Sequence, residues 1–298
     1  MTAGTGVRPG ARLSGTELSG QIRARVSAAA AALTADGRPP RLVVVVATTD
    51  QSTAWYVRSI ASAAAKAGIV CDVDDLGGGV DGEEIRKVLL GHCDDPSVHG
   101  VILQTPLPSG VDLADAVSAI DPAKDVDGAN PASLGRLAAG LPAFPPATAQ
   151  AVVALLDHYD IPVAGREAVV VGRSTVVGKP LAHLLLARDA TVTVCHSRTA
   201  DLAAVTRRAD ILVAAVGRAG LIGAGHARPD AVVIDVGTNA TGDGRLLGDV
   251  DPAVAEHSAG LTPVPGGVGP VTTALLLENT VHAAEDRSEP WPASRPAG

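Results

Sequence analysis

The sequence predicts a two-domain α/β protein, and three observations carry that expectation. Short β-branched runs alternate with longer Ala/Leu-rich stretches, the pattern of βαβ units built on a buried parallel sheet. The chain has 298 residues, 46% of them apolar, enough to bury a core in each of two domains. A Pro-rich segment, Phe144 to Gln150, separates the two alternating halves. The expected division is an amino-terminal α/β domain of residues 1–147 with 273–298, and a Rossmann-like domain of residues 148–272, with a cleft between them.

In the first half, Leu42–Ala47 reads as a buried strand and Ser52–Ala67 as a helix stopped by Gly68. Residues 69–76 read as the next strand, Gly82–Leu90 as a helix, and His99–Gln104 as a strand running into a Pro/Gly loop. Open α/β sheets bind ligands at the carboxyl ends of their strands, which makes the loops after Ala47 and Gln104 candidate site walls. In the second half, a helix over 151–160 precedes a strand ending at Gly172, a loop to Pro180, a helix over 181–189 and a strand over 191–196. Further strands are expected within 210–217 and 231–237, and a last helix over 272–286 that returns to the first domain. The first ten residues and the Pro-rich tail from Asp286 are expected to be weakly ordered.

Lys and Arg number 24 against 32 Asp and Glu, a net charge of −8 that gives no general pull toward nucleic acid or an anionic membrane. No apolar run approaches the roughly 18 residues of a membrane span, and the amino terminus lacks the apolar core of a signal peptide. Cys71, Cys93 and Cys195 form no C-x-x-C pair, which fits a reducing compartment. A soluble, cytoplasmic protein is expected. The histidines are dispersed without metal-ligand spacing, and Ser174 does not stand in G-x-S-x-G, so neither metal catalysis nor a hydrolase nucleophile is indicated.

The loop Gly172–Pro180 follows a strand and opens a helix. Gly172 permits a tight turn, Gly178 permits close helix-to-strand packing, and the N–H groups of the helix start can meet a diphosphate. Ser174 occupies the middle glycine position, so this is not a full G-x-G-x-x-G, and an ordinary strand-to-helix turn is the competing reading. At the end of the next strand no acidic residue precedes Asp201. Arg173, Ser197 and Arg198 are available instead, groups suited to a 2′-phosphate and therefore to NADP rather than NAD. A third stretch, Thr262–Thr272, is dense in Gly and Pro and forms a side-chain-poor wall that a flat ligand can approach.

Several motifs occur together: Gln104–Pro108, Lys124–Gly128, Gly172–Ser174 with Val177–Pro180, Ile234–Gly237 with Asn239, Gly248–Val250, and Pro263–Pro270. In this order they resemble the bifunctional methylenetetrahydrofolate dehydrogenase/cyclohydrolase family, from about Leu13 to about Ala284. The resemblance implies a homodimer that binds a tetrahydrofolate-type substrate and NADP. It implies that Asp127 holds the pterin ring, that Gln104 lines the folate pocket and that Tyr56 flanks the reacting carbon. Pro265, Gly266 and Gly267 border the substrate. By the same match Gly172, Arg173, Ser174, Val177, Gly178, Ser197, Arg198, Gly237 and Asn239 bind the cofactor.

One departure bears on function. The family's Y-V-x-x-K helix reads Tyr56-Val57-Arg58-Ser59-Ile60 here, so Ile60 stands at the position of the catalytic lysine. Tyr56 and Ile60 share a helix face, whereas Arg58 and Lys66 point roughly 200° and 240° away. Thr48, Thr53 and the run Pro146–Ala151 also depart from the family pattern, all on the folate side. The expectation is a methylenetetrahydrofolate dehydrogenase with weak or absent cyclohydrolase activity. Two alternatives stand beside it: an NADP enzyme acting on another imine or iminium compound, and a noncatalytic NADP- or folate-binding subunit.

Overall fold

The computed structural model describes residues 10–242 and 244–285. The ends expected to be weakly ordered, 1–9 and 286–298, lie outside the described residues. The chain divides into two compact units. One holds residues up to Ser19 with Thr148–Thr272, and the other holds Gly20–Ala147 with residues from Thr273 onward.

The chain opens with strand β1 (Ala11–Arg12) and helix α1 (Thr16–Ala35), then runs through β2 (Arg41–Val46), α2 (Gln51–Lys66), β3 (Val70–Asp75), α3 (Gly82–Asp94) and β4 (Gly100–Leu103). Strands β2, β3 and β4 form a parallel sheet in the order β3-β2-β4. The central strand is buried from Leu42 to Val46, as its unbroken Val run requires, since both of its faces are covered. Asp50 caps α2 by accepting the Thr53 N–H, and Gly68, at φ +80°, follows its last turn. Two short helices, α4 (Leu113–Val117) and α5 (Pro131–Ala138), complete this part before α6 (Ala147–His158). Helix α3 runs to Asp94, four residues past its expected end.

The second alternating half comprises β5 (Glu167–Val171), α7 (Gly178–Leu186), β6 (Thr191–Cys195), α8 (Leu202–Thr206), β7 (Ile211–Ala214) and β8 (Val232–Asp235). A small antiparallel pair, β9 (Asn239–Ala240) and β10 (Leu246–Leu247), comes next, then β11 (Gly260–Leu261) and the final helix α9 (Val268–Ala284). The main sheet is wholly parallel, in the order β1-β11-β8-β7-β5-β6. Strands β5, β7 and β8 are its buried centre.

Residues 10–19 correct the expected boundary. They belong with the Rossmann-like unit, not with the amino-terminal domain, because β1 adds an edge strand to that sheet. Gly10 and Ala11 donate to the Ser258 and Ala259 carbonyls, and Leu13 donates to Leu261. Helix α9 starts at Val268 rather than Thr272, with Pro270 in its first turn, where a missing N–H costs no helix hydrogen bond. Helix α7 likewise starts at Gly178, three residues before the expected start.

Candidate functional site

The Lys124–Gly128 segment shows how one short motif divides its work. Lys124 Nζ donates to the carbonyls of Cys93 and Asp95, at 2.6 and 2.7 Å, and so anchors the segment to the end of α3. Asp125 is fully buried and accepts from the Ala129 and Asn130 N–H groups and the Ser133 hydroxyl. Asn130 then caps α5 through the Ala132 N–H. Gly128 has φ +63°, and a Cβ there would lie 2.5 Å from the Pro145 carbonyl carbon. Only glycine admits the 144–146 segment so close.

Asp127 stands in a different setting from these anchors. It is half-buried, and burial, with the negative charge of Asp125 beside it, pushes its carboxyl up to about 7 despite a hydrogen bond from the Ala147 backbone. Tyr56, on α2, lies close enough to feel that carboxylate. Burial and Asp127 together raise its phenol to about 12, against a hydrogen bond with Thr273. The structure therefore brings Tyr56, Asp127 and Thr273 together. Thr273 escapes the sequence reading because it sits mid-helix, some 150 residues from Asp127, with no local signal.

Gln104 is buried just beyond β4, and its N–H donates to Val45. Among the described residues its side-chain amide has no hydrogen-bond partner. Thr53 ties the neighbouring loop to α2, donating from Oγ1 to the Thr105 carbonyl and to Asp50. Ile60, one turn beyond Tyr56, has no solvent exposure at all. Arg58 and Lys66 are exposed, as their angular positions require.

In the other unit, Gly172 and Gly178 have steric reasons to be glycine. A Cβ on Gly172, at φ +132°, would meet Ala215 O at 2.1 Å, and one on Gly178 would meet Gly172 O at 2.2 Å. Ser174 Oγ accepts from the Val177 and Gly178 N–H groups, fixing the turn into α7. Among the described residues the N–H groups of Arg173, Ser174, Thr175 and Val176 donate to no protein acceptor. These free donors, in the turn that leads into α7, fit a bound diphosphate.

Arg173, Ser197 and Arg198 are exposed, and among the described residues neither guanidinium has an acidic partner. They stand after the adjacent strands β5 and β6, and Gly172 N–H bonds Cys195 O between them. Asn239 is less free than expected, since its amide donates to Leu247 O and to Asp249. Gly237 packs against the Asp249 carboxyl, 2.4 Å from where its Cβ would be. The Pro265-Gly266-Gly267 turn is pinned to the amino-terminal segment, with Gly15 N–H donating to Gly266 O. Pro265 and Asp235 also line a cavity of about 730 Å³ within this unit.

A sequence profile of the tetrahydrofolate dehydrogenase/cyclohydrolase catalytic domain matches residues 13–127, and the profile of its NAD(P)-binding domain matches residues 146–288. The chain belongs to the tetrahydrofolate dehydrogenase/cyclohydrolase family. It is 64% identical to "Bifunctional protein FolD 1" of Saccharopolyspora erythraea over 93% of this chain and 95% of that protein. With the protein of that name from Rhodococcus jostii it shares 66% over 91% and 92% of the two chains. Among solved structures, the Campylobacter jejuni bifunctional FolD superposes with a TM-score of 0.89 at 38% identity, over 92% of this chain and 98% of that one. The Trypanosoma brucei methylenetetrahydrofolate dehydrogenase-cyclohydrolase, solved with NADP and an inhibitor, gives 0.87 at 35%, over 91% and 96%. The family's two-domain α/β architecture is thus this chain's. No helix among the described residues is long and apolar enough to cross a membrane.

Proposed function

We propose that this protein oxidises 5,10-methylenetetrahydrofolate to the 5,10-methenyl form with NADP, and that its methenyltetrahydrofolate cyclohydrolase activity is weak or absent. The dehydrogenase half follows from family membership and from relatives named as bifunctional FolD proteins. The second half rests on one observation: the position one turn beyond Tyr56 is a fully buried isoleucine.

Bound NADP would supply the hydride acceptor. The free N–H groups of residues 173–176 would hold its diphosphate, and Arg173, Ser197 and Arg198 would hold its 2′-phosphate. Asp127 binds the pterin ring. With its carboxyl near 7, it can accept or donate a proton there at neutral pH. Tyr56 stays a neutral phenol and offers a hydroxyl and a flat face to the substrate. Hydride transfer depends chiefly on holding two carbons in near-attack geometry, which these groups supply. Hydrolysis of the methenyl bridge also needs a base for the attacking water, typically worth about 10²- to 10⁴-fold, and isoleucine provides none.

Assaying both steps in the purified protein tests the proposal. Methylenetetrahydrofolate-dependent NADPH formation is expected, with methenyltetrahydrofolate decaying near its spontaneous rate. Brisk enzymatic hydrolysis removes the second half of the reading. NADP binding without turnover of any folate moves the assignment to another imine or iminium substrate or to a binding-only role. A cytoplasmic homodimer is the inferred working form, and sedimentation as a monomer at assay concentration counts against it.

A further inference from the structure

We infer that Asp249 is a positioning residue for the dinucleotide site, holding the loop after β7 and the segment after β8 in the geometry the cofactor meets. This rests on the NADP reading above. Asp249 is fully buried, and one carboxylate oxygen accepts the Val216 and Gly217 N–H groups at 2.6 and 3.0 Å. The other accepts the Arg218 N–H at 2.7 Å and the Asn239 amide at 3.0 Å.

Asp249 is itself set by a second buried carboxylate. Asp235, the last residue of β8, accepts the N–H groups of Gly237, Asp249 and Val250 at 2.9 to 3.0 Å. The approach is so close that Gly248 could carry no Cβ, which would fall 1.8 Å from Asp235 Oδ2.

Two features tie this clamp to ligand geometry rather than to general folding. The β7–β8 ladder ends at Ala214 and Asp235, so every group that Asp249 holds lies beyond it, at the carboxyl end of the sheet where such folds bind dinucleotides. The clamped loop is continuous with Ala215, against which Gly172 of the phosphate turn packs. Three successive backbone N–H groups aimed at one point form an anion-binding nest. Asp249 fills that nest with the protein's own charge, which leaves the cofactor's phosphates to residues 173–176.

The test uses Asp249→Asn and Asp249→Ala in the full-length enzyme, with NADP affinity by calorimetry and steady-state kinetics for both substrates. A rise of about tenfold or more in the NADP Kd and KM is expected, with the folate KM and kcat close to wild type. Formate, which can re-enter the vacated nest, is expected to lower the NADP KM of Asp249→Ala and to leave wild type unchanged. An unchanged NADP KM in either folded variant overturns the inference. So does an equal loss on both substrates that formate does not relieve. If Asp249→Ala does not fold, the near-isosteric Asp249→Asn carries the comparison. Wild-type protein that fails to bind NADP removes the cofactor reading and the clamp with it, whereas normal wild-type binding with unaltered variants removes the clamp alone.

Discussion

Replacing Asp127 by Asn is expected to stabilise the protein at neutral and alkaline pH while disabling its folate site. Burial and the neighbouring Asp125 raise the Asp127 carboxyl from its ordinary 3.8 to about 7. A group raised in the folded state favours folding only while protonated. Its contribution is fully present below 3.8, falls as the pH climbs and is lost once the pH passes about 7. A rise from 3.8 to about 7 corresponds to a ceiling of about 4 kcal/mol, and the partial exposure of Asp127 reduces this to about 2 kcal/mol. Asn keeps an oxygen that can accept the Ala147 N–H and carries no charge at any pH. Urea denaturation of both proteins from about pH 4 to about pH 9 is therefore expected to show near-equal stability at the acid end. The variant's advantage should grow through the interval and level off above neutrality. Parallel stability curves would refute the argument, since they would mean that the charged carboxylate costs the fold nothing. Folate affinity should fall in the same variant, the usual exchange of stability against function at a strained site.

Other expectations follow from the same structure. Ile60→Lys should raise methenyltetrahydrofolate hydrolysis above the spontaneous rate, at a cost of about 1–3 kcal/mol for a polar head in a fully buried position; a folded variant with no gain would argue against the role assigned to this position. Gly128→Ala should cost about 3 kcal/mol or more, measured by thermal unfolding, because its Cβ would strike the Pro145 backbone at a positive φ. Gly135→Ala, in open space on α5, should be neutral or slightly stabilising, and equal losses at both glycines would contradict this steric account. Arg198→Ala should weaken NADP more than NAD in initial-rate kinetics, and an equal effect on both would place Arg198 away from the 2′-phosphate.

Much of the fold is legible along the chain because its signals are local. The Val run of β2 and the alternating strands and helices of the second half are patterns within a few residues of one another. Tyr56 and Ile60 share a helix face by periodicity alone, and Gly172 and Gly178 mark tight backbone approach wherever a strand turns into a helix. Helix α1 carries a buried stripe of Leu18, Ile22, Val26, Ala30 and Leu33 at helical spacing, so its signal too is local. The two-residue strands β1 and β11 offer no pattern at all, yet their pairing moves residues 10–19 from one unit to the other.

By itself the sequence determined the fold class, the family and the presence of an isoleucine one helical turn beyond Tyr56, since each depends on residue identity and spacing. Only the tertiary structure decided which carboxylate does what. Asp125, Asp127, Asp235 and Asp249 look alike in one dimension. Folding buries Asp125 and Asp249 among backbone donors as struts and leaves Asp127 beside Tyr56 with few donors and a raised affinity for a proton. The physical reason is that a carboxylate's role is set by the N–H groups and charges around it, and those come from segments far apart in the chain.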